Sequence, residues 1–365
     1  MGTTNFLQGR APARETEGTA AVDAASARLL DILNDGAIAL LTGLGCQTGL
    51  FDTLAKLPAA SSTLIADAAG LNERYVREWL GGMVTAGFVR YEPDDGSYVL
   101  RDEYRPVLSG TGPENLAPTI QYLPLLAQVA PKIERAFRDG GGPDYDDYPG
   151  FHHVMAANSA VVNDSALLEA IIPLSGQAGS LRTGISVADI GCGEGRALNL
   201  LAAAYPASGF IGYDFSAEAL EAATAEAGQR GLSNVRFELQ DVATLEEKQR
   251  FDFITAFDAI HDQADPARVL RNIRAALTPG GTFLMVDINA SSRLDENTAL
   301  PWGSFLYAIS TFHCMAVSLG QDGAGLGTAW GRQLAVSMLR EAGFADITVQ
   351  ELEGDPFNAY YLARP

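Results

Sequence analysis

Apolar residues recur at helical spacing from Val22 to about Leu57, through Leu29, Leu30, Ile32, Leu33, Ile38, Leu40 and Leu41 to Leu50, Phe51 and Leu54. Gly43 and Gly45 predict a break of this stretch into two helices. Ser62 is placed to cap a short helix over Thr63–Ala69, ended by Gly70. Asn72 is placed to cap another over Glu73–Ala86, ended by Gly87. Phe88–Tyr91 and Tyr98–Leu100 then alternate like strands around the turn Glu92-Pro93-Asp94-Asp95-Gly96. Helix, turn, helix and a two-stranded wing predict a winged-helix fold.

Residues 114–180 read as mostly helical, interrupted at Gly140-Gly141-Gly142-Pro143. From Gly184 the pattern changes. Short apolar runs at Ile185–Ile190, Gly209–Tyr213, Val235–Leu239, Phe251–Phe257 and Gly281–Val286 alternate with amphipathic stretches near Ala197–Ala204, Ala217–Arg230 and Pro266–Leu277. That alternation predicts an α/β fold, a doubly wound (Rossmann-like) mostly parallel sheet behind an N-terminal helical winged-helix domain. The expected division is a disordered tail at 1–20, a winged-helix and dimerisation domain at 21–110, and a helical connector and lid at 111–180. The sheet domain follows at 181–365, with a lid insertion at 290–330. The apolar helices of 22–57 exceed what a small winged helix buries, which predicts a homodimer paired through residues 1–110.

Charge narrows the partners. Asp and Glu number 45 against 25 Lys and Arg, a net charge of −20, which repels nucleic-acid backbones and anionic lipid. Between 61 and 105 five Arg face eight acids, so the winged helix lacks a basic reading face. Residues 297–321 carry no Asp, Glu, Lys or Arg, yet hold Pro301, Ser304, Ser310, Thr311, His313 and Ser318, which suits a pocket-lining helix better than a membrane span. Cys46, Cys192 and Cys314 form neither a disulfide framework nor a metal-ligand pattern. A cytoplasmic protein is expected, with no metal, no nucleic-acid partner and no membrane.

The chemistry is read from the first strand of the sheet domain, which enters Asp189-Ile190-Gly191-Cys192-Gly193-Glu194-Gly195. Such a turn lets a ligand approach the backbone. A dinucleotide fingerprint needs Gly at 196, where the chain has Arg196, and the acids at 189 and 194 would repel a pyrophosphate. They suit a ligand carrying a sulfonium and an ammonium, which is S-adenosylmethionine. Asp214 closes the second strand, placed for ribose hydroxyls, with Phe215 beside it for the adenine. Asp241 and Val242 close the third, where Asp241 can accept from the adenine amino group, and Phe257 closes the fourth.

Residues 184–290 therefore resemble the core of a class I S-adenosylmethionine-dependent methyltransferase, on the segments VADIGCGEG, GYDFS, ELQDV, FDFITAFDAIHD and LTPGGTFLMVD. The whole chain resembles bacterial small-molecule methyltransferases with an N-terminal winged helix and a lid, and more distantly the dimeric O-methyltransferases. YAISTFHCM at 307–315 carries part of that likeness. The resemblance implies methyl transfer to a small-molecule hydroxyl or thiol. In those O-methyltransferases a His-Asp pair after the fourth strand includes the general base, which implies that role for His261 in His261-Asp262; Gln263 stands where they usually carry Trp. Tyr307 and His313 are further candidates to orient or deprotonate the acceptor. Trp302, Phe305, Phe312 and Cys314 are candidates for the acceptor wall, and His152 and His153 for the lid over it. The alternative is a winged-helix DNA-binding regulator that senses S-adenosylmethionine without catalysis.

Overall fold

The computed structural model describes residues 13–110, 112 and 114–365, without the side chains of residues 13–20, His152 and His153. The chain divides into two compact units between Gly110 and Thr111.

In the first unit, helix α1 spans Ala13–Gln47. Residues 1–12 of the expected tail lie outside the described residues, while 13–20 extend the helix, since adding a residue to an existing helix gains one hydrogen bond without a new nucleus. The expected break at Gly43 and Gly45 is absent. The helix stops at Gln47, two residues before Gly49, which is left-handed with φ 69°. Gly45 serves close packing instead: a Cβ there would lie 2.5 Å from the Phe51 ring and 2.6 Å from the Trp79 ring. Trp79 Nε1 also donates to the Leu41 carbonyl at 2.7 Å.

Helices α2 (Leu50–Lys56), α3 (Ser62–Ala69) and α4 (Glu73–Thr85) follow, then the antiparallel pair β1 (Val89–Glu92) and β2 (Ser97–Leu100). Ser61, rather than Ser62, caps α3, and Ser62 hydrogen-bonds Glu73 instead. On α4, Arg74 pairs with Glu78 and Arg77 with Glu73, which neutralises its cations. Val22, Leu29, Leu33, Leu40 and Leu44 of α1 form a stripe of which every member is more than half exposed. By length and composition alone, Ala21–Gln47 is apolar enough to cross a membrane. Asp23, Arg28, Asp31 and Asp35 nevertheless interrupt it.

The second unit is built on a sheet of seven strands: β3 (Ser186–Ile190), β4 (Gly209–Asp214), β5 (Val235–Leu239), β6 (Phe251–Phe257), β7 (Leu277–Ile288), β8 (Asp346–Leu352) and β9 (Asp355–Arg364). The order is β5-β4-β3-β6-β7-β9-β8, with β9 antiparallel to both neighbours and the other pairs parallel. One apolar cluster packs Val269, Leu270, Ile273, Ala335 and Leu339 on one face. A second packs Leu167, Ile171, Leu198 and Leu201 on the other. The chain winds outward from β3 through β4 to β5, then returns to β6 on the far side of β3. The strand ends at this reversal are the usual ligand site of such sheets.

The connector and the insertion meet above those ends. Tyr122, Leu126, Tyr148, Phe151 and Val154 share one cluster with Ala316 and Val317, against which Phe305, Ile309 and Phe312 pack. A Cβ on Gly142 would fall 1.8 Å from the Ala316 carbonyl oxygen, so glycine is required where the connector crosses the insertion. Within the insertion, helix 303–309 passes through a π-helical turn, Ser310–Cys314, into helix 315–320.

Candidate active site

Three carboxylates stand at successive strand ends. Asp189, in β3, is buried and accepts from Thr255 Oγ1 at 2.6 Å. Burial raises its carboxyl to about 7, against the opposing Thr255 hydrogen bond. Gly191, Gly193 and Gly195 all have positive φ, 67°, 52° and 70°. A Cβ on Gly191 would strike Ala259, and one on Gly195 would strike Phe237 and Ala223, whereas one on Gly193 would meet nothing. The backbone is therefore open at Gly193, where a ligand can lie against it. Asp214, at the end of β4, accepts from Gly193 N and Ser216 N, each at 2.8 Å. Both oxygens are thereby oriented while keeping lone pairs for a diol. Asp241 is exposed after β5, its Oδ1 held by Ala243 N at 2.8 Å, and Val242 beside it is buried in the core. Phe257 ends β6, packed against the core. Phe215 is half exposed, with Tyr145 edge-on at 4.9 Å.

His261 follows β6 and is buried. Its Nδ1 lies 2.9 Å from Asp287 Oδ1, near the end of β7. The adjacent Asp262 serves a different partner, accepting from the Tyr145 hydroxyl. Asp287 Oδ1 also accepts from Trp330 Nε1 at 3.0 Å and Ile288 N at 2.8 Å. Cys314 hydrogen-bonds the imidazole. Burial, the largest single influence on His261, disfavours its charge; Asp287 and Cys314 together more than reverse this, so the imidazole sits well above its ordinary value. Burial pushes the Cys314 thiol up.

His313 is buried in an aromatic box. It stacks on Phe151 at 3.7 Å and 12°, with Tyr148 at 4.8 Å and Tyr145 at 5.4 Å edge-on. The Tyr148 hydroxyl donates to the Phe312 carbonyl. Thus His261, His313 and Cys314 are brought together with Phe312. Phe305 packs on Tyr122, its ring centroid 6.3 Å away. Trp302 lies on Phe357 at 4.6 Å. Tyr307 points elsewhere: it is 38% exposed and its hydroxyl accepts from Asn297 Nδ2 at 3.0 Å. His152 and His153 sit on helix 151–166, but their side chains lie outside the described residues. No group of three or more His, Cys, Asp or Glu among the described residues is placed to hold a metal ion.

Asp287, Trp330, Asp258 and Tyr145 join the site without having been expected there from the sequence. A signal existed for Asp287, which closes its strand as Asp214 does. Tyr145 carried none, since only the fold brings it here.

Comparison with known proteins agrees with this architecture. Residues 181–340 match the methyltransferase-domain family, and residues 36–109 match the Rv2258c-like winged helix-turn-helix domain. The chain joins a methyltransferase domain of Rossmann-like fold to a winged-helix domain of that type. A ubiquinone biosynthesis O-methyltransferase of Coxiella burnetii is 36% identical over 109 residues, 29% of this chain and 44% of that protein. The chain thus spans less than half the length of the curated relatives it matches. Human N-acetylserotonin methyltransferase, solved with S-adenosylmethionine, superposes with a TM-score of 0.66 at 18% identity, over 93% of this chain and 97% of that one. The mitomycin 7-O-methyltransferase superposes at 0.65 and 18% identity, over 95% of this chain and all of the other.

Proposed function

We propose that this protein transfers a methyl group from S-adenosylmethionine to the hydroxyl or thiol of a small molecule, held under a lid formed by residues 111–180 and 290–330. One observation carries the reading. Asp189, Asp214 and Asp241 end three neighbouring strands around a turn that is open at Gly193. A cofactor with a diol, an adenine amino group and a positive charge matches that set, and an anionic dinucleotide does not. When bound, it supplies an electrophilic methyl group on a sulfonium.

The chain's own residues supply the rest. Asp287 holds the imidazole of His261 through Nδ1, and the opposite nitrogen takes the proton of a hydroxyl as the methyl group arrives, the acceptor displacing the Cys314 contact. A thiol of pKa about 8.5 is already partly ionised near neutrality and needs mainly positioning. The aromatic box around His313 excludes water. The protein is proposed to act in the cytoplasm as a homodimer paired through residues 1–110. Net charge and scattered cysteines support the first, and the exposed stripe of α1 supports the second.

Calorimetry with S-adenosylmethionine, followed by turnover of phenol and thiol pools with detection of product mass, tests the reading. Tight cofactor binding and a product heavier by one methylene are expected. Absence of binding, or unchanged affinity in both Gly193→Leu and Asp214→Ala, would sink it.

A further inference from the structure

Asp258 and Asp287 end neighbouring strands. Asp258 N donates to the Val286 carbonyl at 2.9 Å, which sets the two carboxylates side by side above the sheet. The three donors on Asp287 all reach Oδ1. Asp287 Oδ2 and Asp258 Oδ1 are shut off from solvent and have no hydrogen-bond partner among the described residues. A buried acceptor left this way costs about 1–3 kcal/mol, so two side by side call for an occupant.

The nearby acids differ in this respect. Asp355 accepts from Phe357 N, Asn358 Nδ2 and the Tyr360 hydroxyl, and Asp262 from the Tyr145 hydroxyl. The charges acting on Asp258 are Asp287, His261, Asp355 and Asp262, three carboxylates against one imidazole, with no Lys or Arg among them. That field selects a cationic donor. Asp258 itself has φ 51°, a left-handed conformation that Asp and Asn tolerate better than other side chains. That backbone carries a buried carboxylate oxygen beside His261.

We propose that Asp258 and Asp287 bind the ammonium group of the methyl acceptor, so that the acceptor is a phenol or thiol that also carries a protonated amine. The proposal rests on the methyl-transfer reading. Burial, and after it the like charge of Asp287, raise the Asp258 carboxyl to about 7, and a bound cation would offset that charge. The cofactor's own ammonium offers the same chemistry. Its expected seat is the Gly191–Gly195 turn on β3, and the experiment separates the two.

The full-length protein is assayed with two pairs of acceptors differing by one amine: tyramine against 4-ethylphenol, and cysteamine against ethanethiol. For at least one pair, the amine-bearing member is expected to show the lower KM. Asp258→Asn keeps the left-handed backbone and should raise that KM about 10–100-fold, the worth of a charge-assisted hydrogen bond. The KM of the neutral member and the affinity for S-adenosylmethionine should change less than about twofold. Equal use of both members by the unaltered protein overturns the proposal, and needs no variant. So does an equal loss on both in Asp258→Asn, or a loss confined to cofactor affinity, which gives the cation to the cofactor. Failure to methylate either amine while S-adenosylmethionine binds overturns the amine site and leaves the methyl-donor reading standing. Failure of S-adenosylmethionine to bind defeats that reading itself.

Discussion

Twenty-six positions separate His261 from Asp287, yet Nδ1 and Oδ1 stand 2.9 Å apart. The contact exists because β6 and β7 are parallel neighbours whose ends bring both residues to the same edge. The carboxylate is in turn fixed by Trp330, so the imidazole is oriented from two directions before any acceptor arrives. For a hydroxyl acceptor, His261→Ala is expected to lower kcat by about 10²–10⁴-fold, and for a thiol far less. Affinity for S-adenosylmethionine should stay within a few-fold by calorimetry. An unaffected kcat on a hydroxyl would remove His261 from proton transfer.

The same pair sets a pH dependence. His261 sits well above its ordinary value through Asp287 and Cys314, against burial. A base must be neutral, so kcat on a hydroxyl should rise with pH through an apparent pKa above about 6.5. Stability should move the other way. The pair's contribution is complete below the ordinary histidine value of about 6.5 and is lost as pH rises through the raised value. Asp287→Asn should shift the kinetic midpoint downward; a midpoint that stays put would detach it from this pair.

Asp189 offers a test that needs no acceptor. Its carboxyl is raised to about 7 chiefly by burial. A cation binding beside it favours the ionised form, so binding at pH 7 should release a fraction of a proton and tighten as pH rises. Titrations in two buffers of different ionisation enthalpy measure that release. Thr255→Val removes the hydrogen bond that lowers this carboxyl, and should increase the proton release and weaken binding at pH 7. Identical heats in both buffers would contradict a titrating Asp189.

His313 should behave as wall rather than base. Its ring is stacked on Phe151 and enclosed by two tyrosines. His313→Ala should raise acceptor KM with a smaller effect on kcat, and cost about 2–4 kcal/mol in unfolding measurements as a cavity opens. A large kcat loss here, with none in His261→Ala, would move the catalytic role into the insertion.

The stripe on α1 predicts association. Leu29→Glu with Leu33→Glu places two charges among residues that are each more than half exposed, so neither disturbs a packed core. Sedimentation at micromolar concentration should give two subunits for the unaltered chain and one for the variant. A monomer in both would leave the stripe without a second copy.

Most of the sheet was legible because parallel strands buried on both faces read as apolar runs, as in Phe283–Val286 of β7. The hairpin β8–β9 was not, because alternate residues of β8 face solvent and the run Asp346–Leu352 is diluted by Asp346, Gln350 and Glu351. The caps at Asn72 and Gly70 were readable from local chemistry, whereas Gly45 looked like a breaker because its reason lies in Phe51 and Trp79. In the site, acids and glycines at strand ends were visible as a pattern. The partner of His261, Asp287, was not legible, since adjacency in sequence, as with Asp262, says little about direction in space. Tyr145 and Trp330 come from distant segments that no spacing rule connects.

The π-helical turn at Ser310–Cys314 explains how two consecutive residues reach different targets. A regular helix turns about 100° per residue and would carry one of them out of register. The wider turn accommodates His313 against the aromatic box while Cys314 reaches His261. It holds one residue more than an α-helical turn. Deleting Thr311 should let the helix close up, rotating Met315–Gly320 away from the connector that rests on it. The crossing at Gly142 and Ala316 would then be lost together with the site, so one residue sets both the shape of the acceptor wall and the seating of the cover above it.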